Sequence, residues 1–284
     1  MFISIPCPEC GNEIQQPADR CPHCGRPGYY WNVIAVKDAA ERATLERRYQ
    51  AAKKEASSRK ADAVLQDFEN ALADSQAVIA RSQSEVLRLA NSHRQLYATY
   101  YQLIEAGVRL PEGDQWDVLR ELADTVLFPG YKKEMRFAAL SMDGVGLSNY
   151  GTCSIVFRDE MISHRASVFE ENSALFMEKR KIKISRDTKL PKGFRATWDE
   201  RAKLCVAKLS GKIDSATRPV EYSGLLLRQG ATSEDDEFVE VHIWGPMTVL
   251  TMERVIVTSP KAHHRAIITK AIKAKLAKHN VKVN

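Results

Sequence analysis

No apolar run in the 284-residue chain approaches the roughly 18 residues a membrane span needs, so no membrane partner is expected. A secretory pattern is also missing. Met1-Phe2-Ile3-Ser4-Ile5-Pro6 enters a cysteine motif with no basic stretch and no small-residue cleavage site, which points to a cytoplasmic protein. Acidic residues are absent from Lys261 to Asn284, where seven Lys/Arg stand. That tail alone exceeds the net charge of +6, so the rest of the chain is close to neutral. A second basic stretch, Lys179 to Arg195, sets eight Lys/Arg against the single acid Asp187. Such stretches attract nucleic acid or acidic protein surfaces, or form solvated faces. At 44% hydrophobic and 27% charged, the composition excludes a disordered tail or a collagen-like rod. The length suits one or two domains.

Six cysteines are present, four of them within residues 7–24; Cys153 and Cys205 stand alone and read as small buried residues. The four form Cys7-Pro8-Glu9-Cys10-Gly11 and Cys21-Pro22-His23-Cys24-Gly25. Each CxxC turn aims two sulfurs at one point, and the following Gly lets the backbone turn beneath a metal. Cys7, Cys10, Cys21 and Cys24 are therefore expected to ligate Zn²⁺ in a closed, structural, tetrahedral site. His23, between two ligands, reads as a surface residue. Residues 5–27 resemble the short zinc ribbons. With so small a core, metal binding would supply most of the folding energy of residues 1–30. Tyr29, Tyr30 and Trp31 follow, suited to stacking on a base or to packing the ribbon on the next helix.

Glycine and proline are absent from Tyr29 to Glu105, and Ala, Glu, Arg, Lys and Gln dominate there. Leu65, Phe68, Leu72, Ser75, Ile79, Ser82, Val86, Leu89, His93, Leu96, Tyr100 and Leu103 follow a 3-4 alternation. This predicts a long helix with a coiled-coil seam over residues 31–106. A weaker stripe (Leu45, Tyr49, Ala52, Ala56) is out of phase with it, so a stutter or break is expected near residues 57–64. A helix of about 70 residues would be ~105 Å long and could not bury its stripe alone. Self-association as a homo-oligomer, or folding back as a hairpin, would answer that. Gly107, Pro111 and Gly113 end the pattern; Asp114 to Phe128 reads as a short helix and Pro129-Gly130 as a turn. Residues 107–133 are thus expected to link two domains.

Residues 134–284 read as an α+β domain of strands with few helices. Strands are expected at Arg136 to Ser141, Thr152 to Phe157, Arg165 to Phe169, Lys181 to Ser185, Tyr222 to Leu227, Glu237 to Trp244 and Arg254 to Val257. Helices are expected at Trp198 to Leu209 and at about His264 to Lys278. In Glu237 to Trp244, side-chain alternation puts Val239, Val241 and Ile243 on one face. Phe238, Glu240, His242 and Trp244 share the other. A carboxylate beside an imidazole between aromatics suits the wall of a cleft, where low dielectric perturbs a Glu.

Asn149-Tyr150-Gly151, Arg165-Ala166-Ser167-Val168-Phe169, Asn172-Ser173, Phe238 to Pro246 and Met252 to Val255 occur in that order. This order resembles the ADP-ribosyltransferase-like domains of phage head proteins and bacterial polymorphic toxins, over residues 135–258. The resemblance implies a split pair of small antiparallel sheets gripping NAD, and cleavage of its nicotinamide–ribose bond. It implies Glu240 as the catalytic carboxylate, with His242 in the neighbouring position of the catalytic strand. It further implies Arg165 on a cofactor phosphate, Ser167 orienting the sugar-facing strand, and Tyr150 stacking on nicotinamide. ADP-ribose would pass to a protein or nucleic-acid acceptor, as in a toxin or phage-defence effector. The other reading is a non-enzymatic zinc-ribbon, coiled-coil adaptor for nucleic acid or a partner protein.

Overall fold

A computed structural model of the chain describes residues 4–6, 10, 12–15, 20–25, 30–105, 107, 115–182, 188, 190–258 and 263–284. A small antiparallel hairpin comes first, β1 (Ser4–Pro6) with β2 (Glu13–Gln15). Then follow α1 (Trp31–Val36), α2 (Ala39–Ser58), α3 (Asp62–Ala71), β3 (Gln76–Arg81), α4 (Gln83–Leu89), α5 (Tyr100–Glu105) and α6 (Gln115–Leu127). The chain continues through β4 (Met135–Ser141), β5 (Cys153–Phe157), α7 (Asp159–Ile162), β6 (Ala166–Phe169), α8 (Ser173–Lys179) and β7 (Arg195–Thr197). It ends with α9 (Arg201–Leu209), α10 (Tyr222–Leu226), β8 (Glu240–Trp244), β9 (Met252–Val257), α11 (His263–Ala277) and β10 (Lys282–Val283).

Eight strands make one mixed sheet in the order β10-β9-β5-β3-β4-β8-β6-β7. Every neighbouring pair is antiparallel except β10 with β9. On one face, Ile79, Leu140, Ile155, Val241, Ile243 and Val255 join Leu45, Leu65, Phe68, Leu204, Ile272 and Leu276 in the main core. Helices α2, α3, α9, α4 and α11 thereby cover that face. On the other, Met135, Phe169 and Trp244 pack with Leu127 of α6, Phe128 just after it and Phe176 of α8. Further along that same face, Val78, Ala139 and Val156 pack with Leu147 and Phe238. This is an α/β body with a layered core, not the pair of small sheets the resemblance implies.

The single helix expected over residues 31–106 does not form. Its seam breaks at β3, whose Ala77, Val78, Ile79 and Ala80 are all buried. A strand covered on both faces reads as a short continuous apolar run, which periodicity alone cannot separate from helix. The flanking seam serines are boundary residues. Ser75 is extended (φ −66°, ψ 141°), and the Ser82 hydroxyl accepts the Glu85 N–H at 3.3 Å to cap α4. The lack of glycine concealed a second break. Lys60 takes the left-handed position (φ 57°) that glycine usually fills after a helix. Ala61 N–H then reaches Ala56 O at 2.9 Å and Lys60 N–H reaches Ser57 O at 3.0 Å, closing α2. This lies inside the interval 57–64 where an interruption was expected.

The apolar stripe finds its cover inside this chain. Leu65, Phe68, Leu72, Ile79, Val86 and Leu89 are each at most 3% exposed, in the core beneath the sheet. The reason for expecting a second copy along the seam is thereby removed. The domain boundary expected near residue 130 is also crossed, because β3 pairs with β4 on one side and β5 on the other.

Two expected strands differ. Tyr222–Leu226 is helical, entered through Pro219 with the Glu221 carboxylate accepting the Arg218 N–H at 2.8 Å. Lys181, at φ 51°, turns the chain where a strand was expected to begin, and residues 183–187 lie outside the described ones. The remaining expected strands and both expected helices of this region form, with ends shifted by up to three residues.

Candidate functional site

Strand β8 lies between β4 and β6, and its alternation gives the site its direction. Val241 and Ile243 enter the main core; Glu240, His242 and Trp244 point to the opposite face. There His242 is opposite Phe137 on β4 and Ser167 on β6. Phe128 and Phe137 meet the imidazole edge-on at 4.8 and 5.5 Å between centroids, and Phe169 lies at 5.9 Å. The ring is therefore fixed in an aromatic box. Its Nε2 and Glu240 Oε2 are 3.0 Å apart, and both side chains are 2% exposed.

Glu240 does not face only the imidazole. Its Oε2 also accepts the Ser173 N–H at the start of α8 (3.0 Å), and Oε1 lies 3.7 Å from Arg120 Nη2 on α6. Burial pushes the Glu240 carboxyl up, but His242, Arg120 and the Ser173 N–H outweigh it and hold it below its ordinary range. Burial disfavours the Arg120 charge in turn; Glu240 and Asp124 overcome that and raise its pKa. Four residues on from Arg120, Asp124 is fully buried, and burial pushes its carboxyl up to about 6 despite the nearby guanidinium. The Tyr101 hydroxyl donates to Asp124 Oδ2 at 2.8 Å, whereas Asp124 Oδ1 has no hydrogen-bond partner among the described residues. The result is a line of ionisable groups, Asp124–Arg120–Glu240–His242, between α6 and the sheet.

The structure brings Tyr150 into this field. It is 41% exposed, and its phenol interacts electrostatically with Arg120, Asp236 and Glu240. Arg165 is turned elsewhere. Its Nη1 donates to the carbonyls of Trp244 (2.6 Å) and Pro246 (3.0 Å), and its Nε to that of Met161 (2.9 Å). It fastens the start of β6 to the end of β8. Ser167 is 2% exposed, and its hydroxyl accepts from Asn32 Nδ2 at 3.2 Å. The same amide reaches the carbonyls of Arg165 and His242, both at 3.1 Å. Arg120, Asp124 and Tyr101 escaped the sequence reading. The signal available was a polar pair, Arg120 and Asp124, at i,i+4 along the otherwise apolar side of α6.

At the amino terminus, Cys10, Cys21 and Cys24 place their sulfurs within 4.8 Å of one another, a group that can hold a metal ion. Cys7 lies outside the described residues. Sulfurs at about 2.3 Å from a tetrahedral zinc would be roughly 3.8 Å apart, and Cys10 Sγ to Cys21 Sγ is 3.7 Å. The second knuckle has the turn its sequence predicts. Gly25 (φ 72°) returns its N–H to Cys21 O at 2.9 Å, and the His23 N–H points at Cys21 Sγ at 3.4 Å. His23 is exposed and does not belong to the sulfur group. The donor set and the spacing both fit zinc.

Of the two basic stretches, the internal one has four described residues paired with acids, while Lys183, Arg186 and Lys189 lie outside the described residues. Lys179 and Arg180 pair with Glu171 and Glu170, Lys192 with Asp38, and Arg195 with the buried Glu41. No protein-family model matches the chain, and no curated protein matches it. No helix among the described residues is long and apolar enough to cross a membrane.

Proposed function

We propose that the chain is an ADP-ribosyltransferase-like enzyme of the cytoplasm, with Glu240 as its catalytic carboxylate and zinc on Cys7, Cys10, Cys21 and Cys24 as a structural staple. The observation that carries this reading is the Glu240 carboxylate held anionic on the sheet face by His242 and Arg120. NAD supplies a nicotinamide leaving group whose departure makes the ribose carbon cationic. Glu240 would stabilise that charge, and His242 would fix the carboxylate. Arg120, 26% exposed in its side chain, takes the cofactor-facing role first read for Arg165. A guanidinium matches phosphate oxygens. Tyr150 is exposed enough to stack on a ring. A protein or nucleic acid would accept the ADP-ribose, as in a toxin or phage-defence effector.

The test is release of labelled nicotinamide from NAD by the purified, zinc-loaded protein, with cell protein or RNA as acceptor. Wild type should release it, and Glu240→Gln should lose at least 100-fold of the rate while keeping its circular dichroism spectrum. No release with any acceptor, or full activity in the variant, would overturn the reading.

A second reading is favoured by the hydrogen bonds themselves. The Ser173 N–H and the His242 ring already hydrogen-bond Glu240, with the Arg120 guanidinium 3.7 Å away, and Arg165 is engaged by three backbone carbonyls. Groups held in this way fasten helices to a sheet. A zinc-stapled adaptor built on such a body would turn over no NAD, and Glu240→Gln would lower its melting temperature instead.

A further inference from the structure

Among the described residues, no carboxylate pairs with a lysine of the carboxy-terminal basic stretch, whereas four basic residues of the internal one are paired. With 42 basic and 36 acidic residues in all, the chain outside residues 261–284 carries 35 against 36. The whole net positive charge therefore sits on the last 24 residues. Residues 263–284 are folded onto the body. Ile272 and Leu276 of α11 are fully buried, α11 packs on α4, and β10 adds a parallel edge strand beside β9. Lys270, Lys273, Lys278 and Lys282 are exposed, and none forms an ion pair among the described residues. Lys275 is bound to the neutral Asn91 side chain. The acid nearest in sequence on the packing helix, Glu85, is already held by Arg88 at 2.7 and 2.8 Å. Arg158 adds a further guanidinium at the α11–β10 turn through Asn280 O at 3.3 Å.

We infer that this face, the outer side of α11 with β10, is a docking surface for the phosphate backbone of a nucleic acid. Lys270 and Lys273 share one side of α11 and are about 4.5 Å apart along its axis. Lys278 and Lys282 extend the band past the turn. Four exposed lysines with no acid among them meet a line of phosphates without requiring a sequence code. A lipid surface is disfavoured because Ile272 and Leu276 of α11 are buried, which leaves Ile267 as the one exposed large apolar side chain of the helix among the described residues, too little to insert. The inference does not depend on catalysis, and binding is measured without NAD so that the two proposals fail separately.

The experiment is fluorescence anisotropy of the zinc-loaded full chain with a labelled 20-base-pair duplex and a 20-nucleotide single strand of mixed sequence. Four phosphate contacts predict a log–log salt slope near 3.6 on the duplex, so affinity should fall roughly 150-fold between 50 and 200 mM salt. Combined Lys270→Glu, Lys273→Glu and Lys278→Glu should weaken binding at least tenfold at 50 mM with an unchanged melting temperature. Lys54→Glu, a charge reversal on the exposed side of α2, should leave it intact. Wild-type affinity in the triple variant would overturn the inference. So would equal loss with Lys54→Glu, or tighter binding of a poly-glutamate peptide than of either oligonucleotide; the last would assign the face to an acidic protein.

Discussion

Asp124 offers a sharp test of the charge line under α6. An aspartate whose folded pKa is about 6, against an ordinary 3.8, binds its proton more tightly in the folded than in the unfolded chain. Its ionisation therefore opposes folding. The penalty is absent below the unfolded pKa, grows as pH rises from about 4 to 6, and is complete above that. The gap of about two units corresponds to roughly 3 kcal/mol at neutral pH. Asp124→Asn removes the titration while leaving a carbonyl oxygen to accept from the Tyr101 hydroxyl. Any fixed cost of placing an amide beside Arg120 is the same at all pH values and cancels. The stability of the variant relative to wild type, from urea unfolding, should rise by about 2 kcal/mol between pH 4.5 and pH 7.5. A difference that stays flat across that range, or falls, would refute the burial-driven shift and the charge line built on it.

Two further predictions address the rest of the chain. A strong chelator should remove one zinc per chain and abolish ordered signals from residues 1–30, while the melting transition of the α/β body persists; Cys21→Ser should reproduce this without chelator. Ile79→Ala, at a position 3% exposed in the middle of the sheet, should cost about 2–5 kcal/mol in chemical denaturation, whereas a solvated helix position would lose under 0.5.

Strands with alternating or uniformly apolar runs, such as residues 153–157 and 240–244, were legible, as were the helices at residues 201–209 and 263–277. So was the coming together of three of the four cysteines, because two CxxC turns admit few arrangements. What misled was a 3-4 spacing that continued across segments of different structure. Leu72, Ile79 and Val86 are seven apart by sequence, yet they lie on a helical turn, a strand and another helix. Seven-residue spacing does not encode continuity. Ser75 and Ser82 carried the contrary signal, since both favour helix ends over interiors. The site was half legible. Alternation along residues 238–244 set Glu240 and His242 side by side, but Arg120 reaches Glu240 from a helix 120 residues earlier, a distance no local pattern spans. Arg165 was read as facing a ligand because guanidinium chemistry suits phosphate; backbone carbonyls at the end of β8 satisfy it equally well.

Strand β3 holds the middle of the sheet, with β4, β8, β6 and β7 on one flank and β5, β9 and β10 on the other. Its six residues come from the first third of the chain, yet they join two groups of strands made entirely from residue 135 onward. Severing the polypeptide between β3 and β4 would leave the later fragment with two unjoined ribbons, each showing a raw border of unpaired amides and carbonyls. The segments before and after residue 135 therefore cannot be traded like beads on a string, because the first holds the keystone of the second.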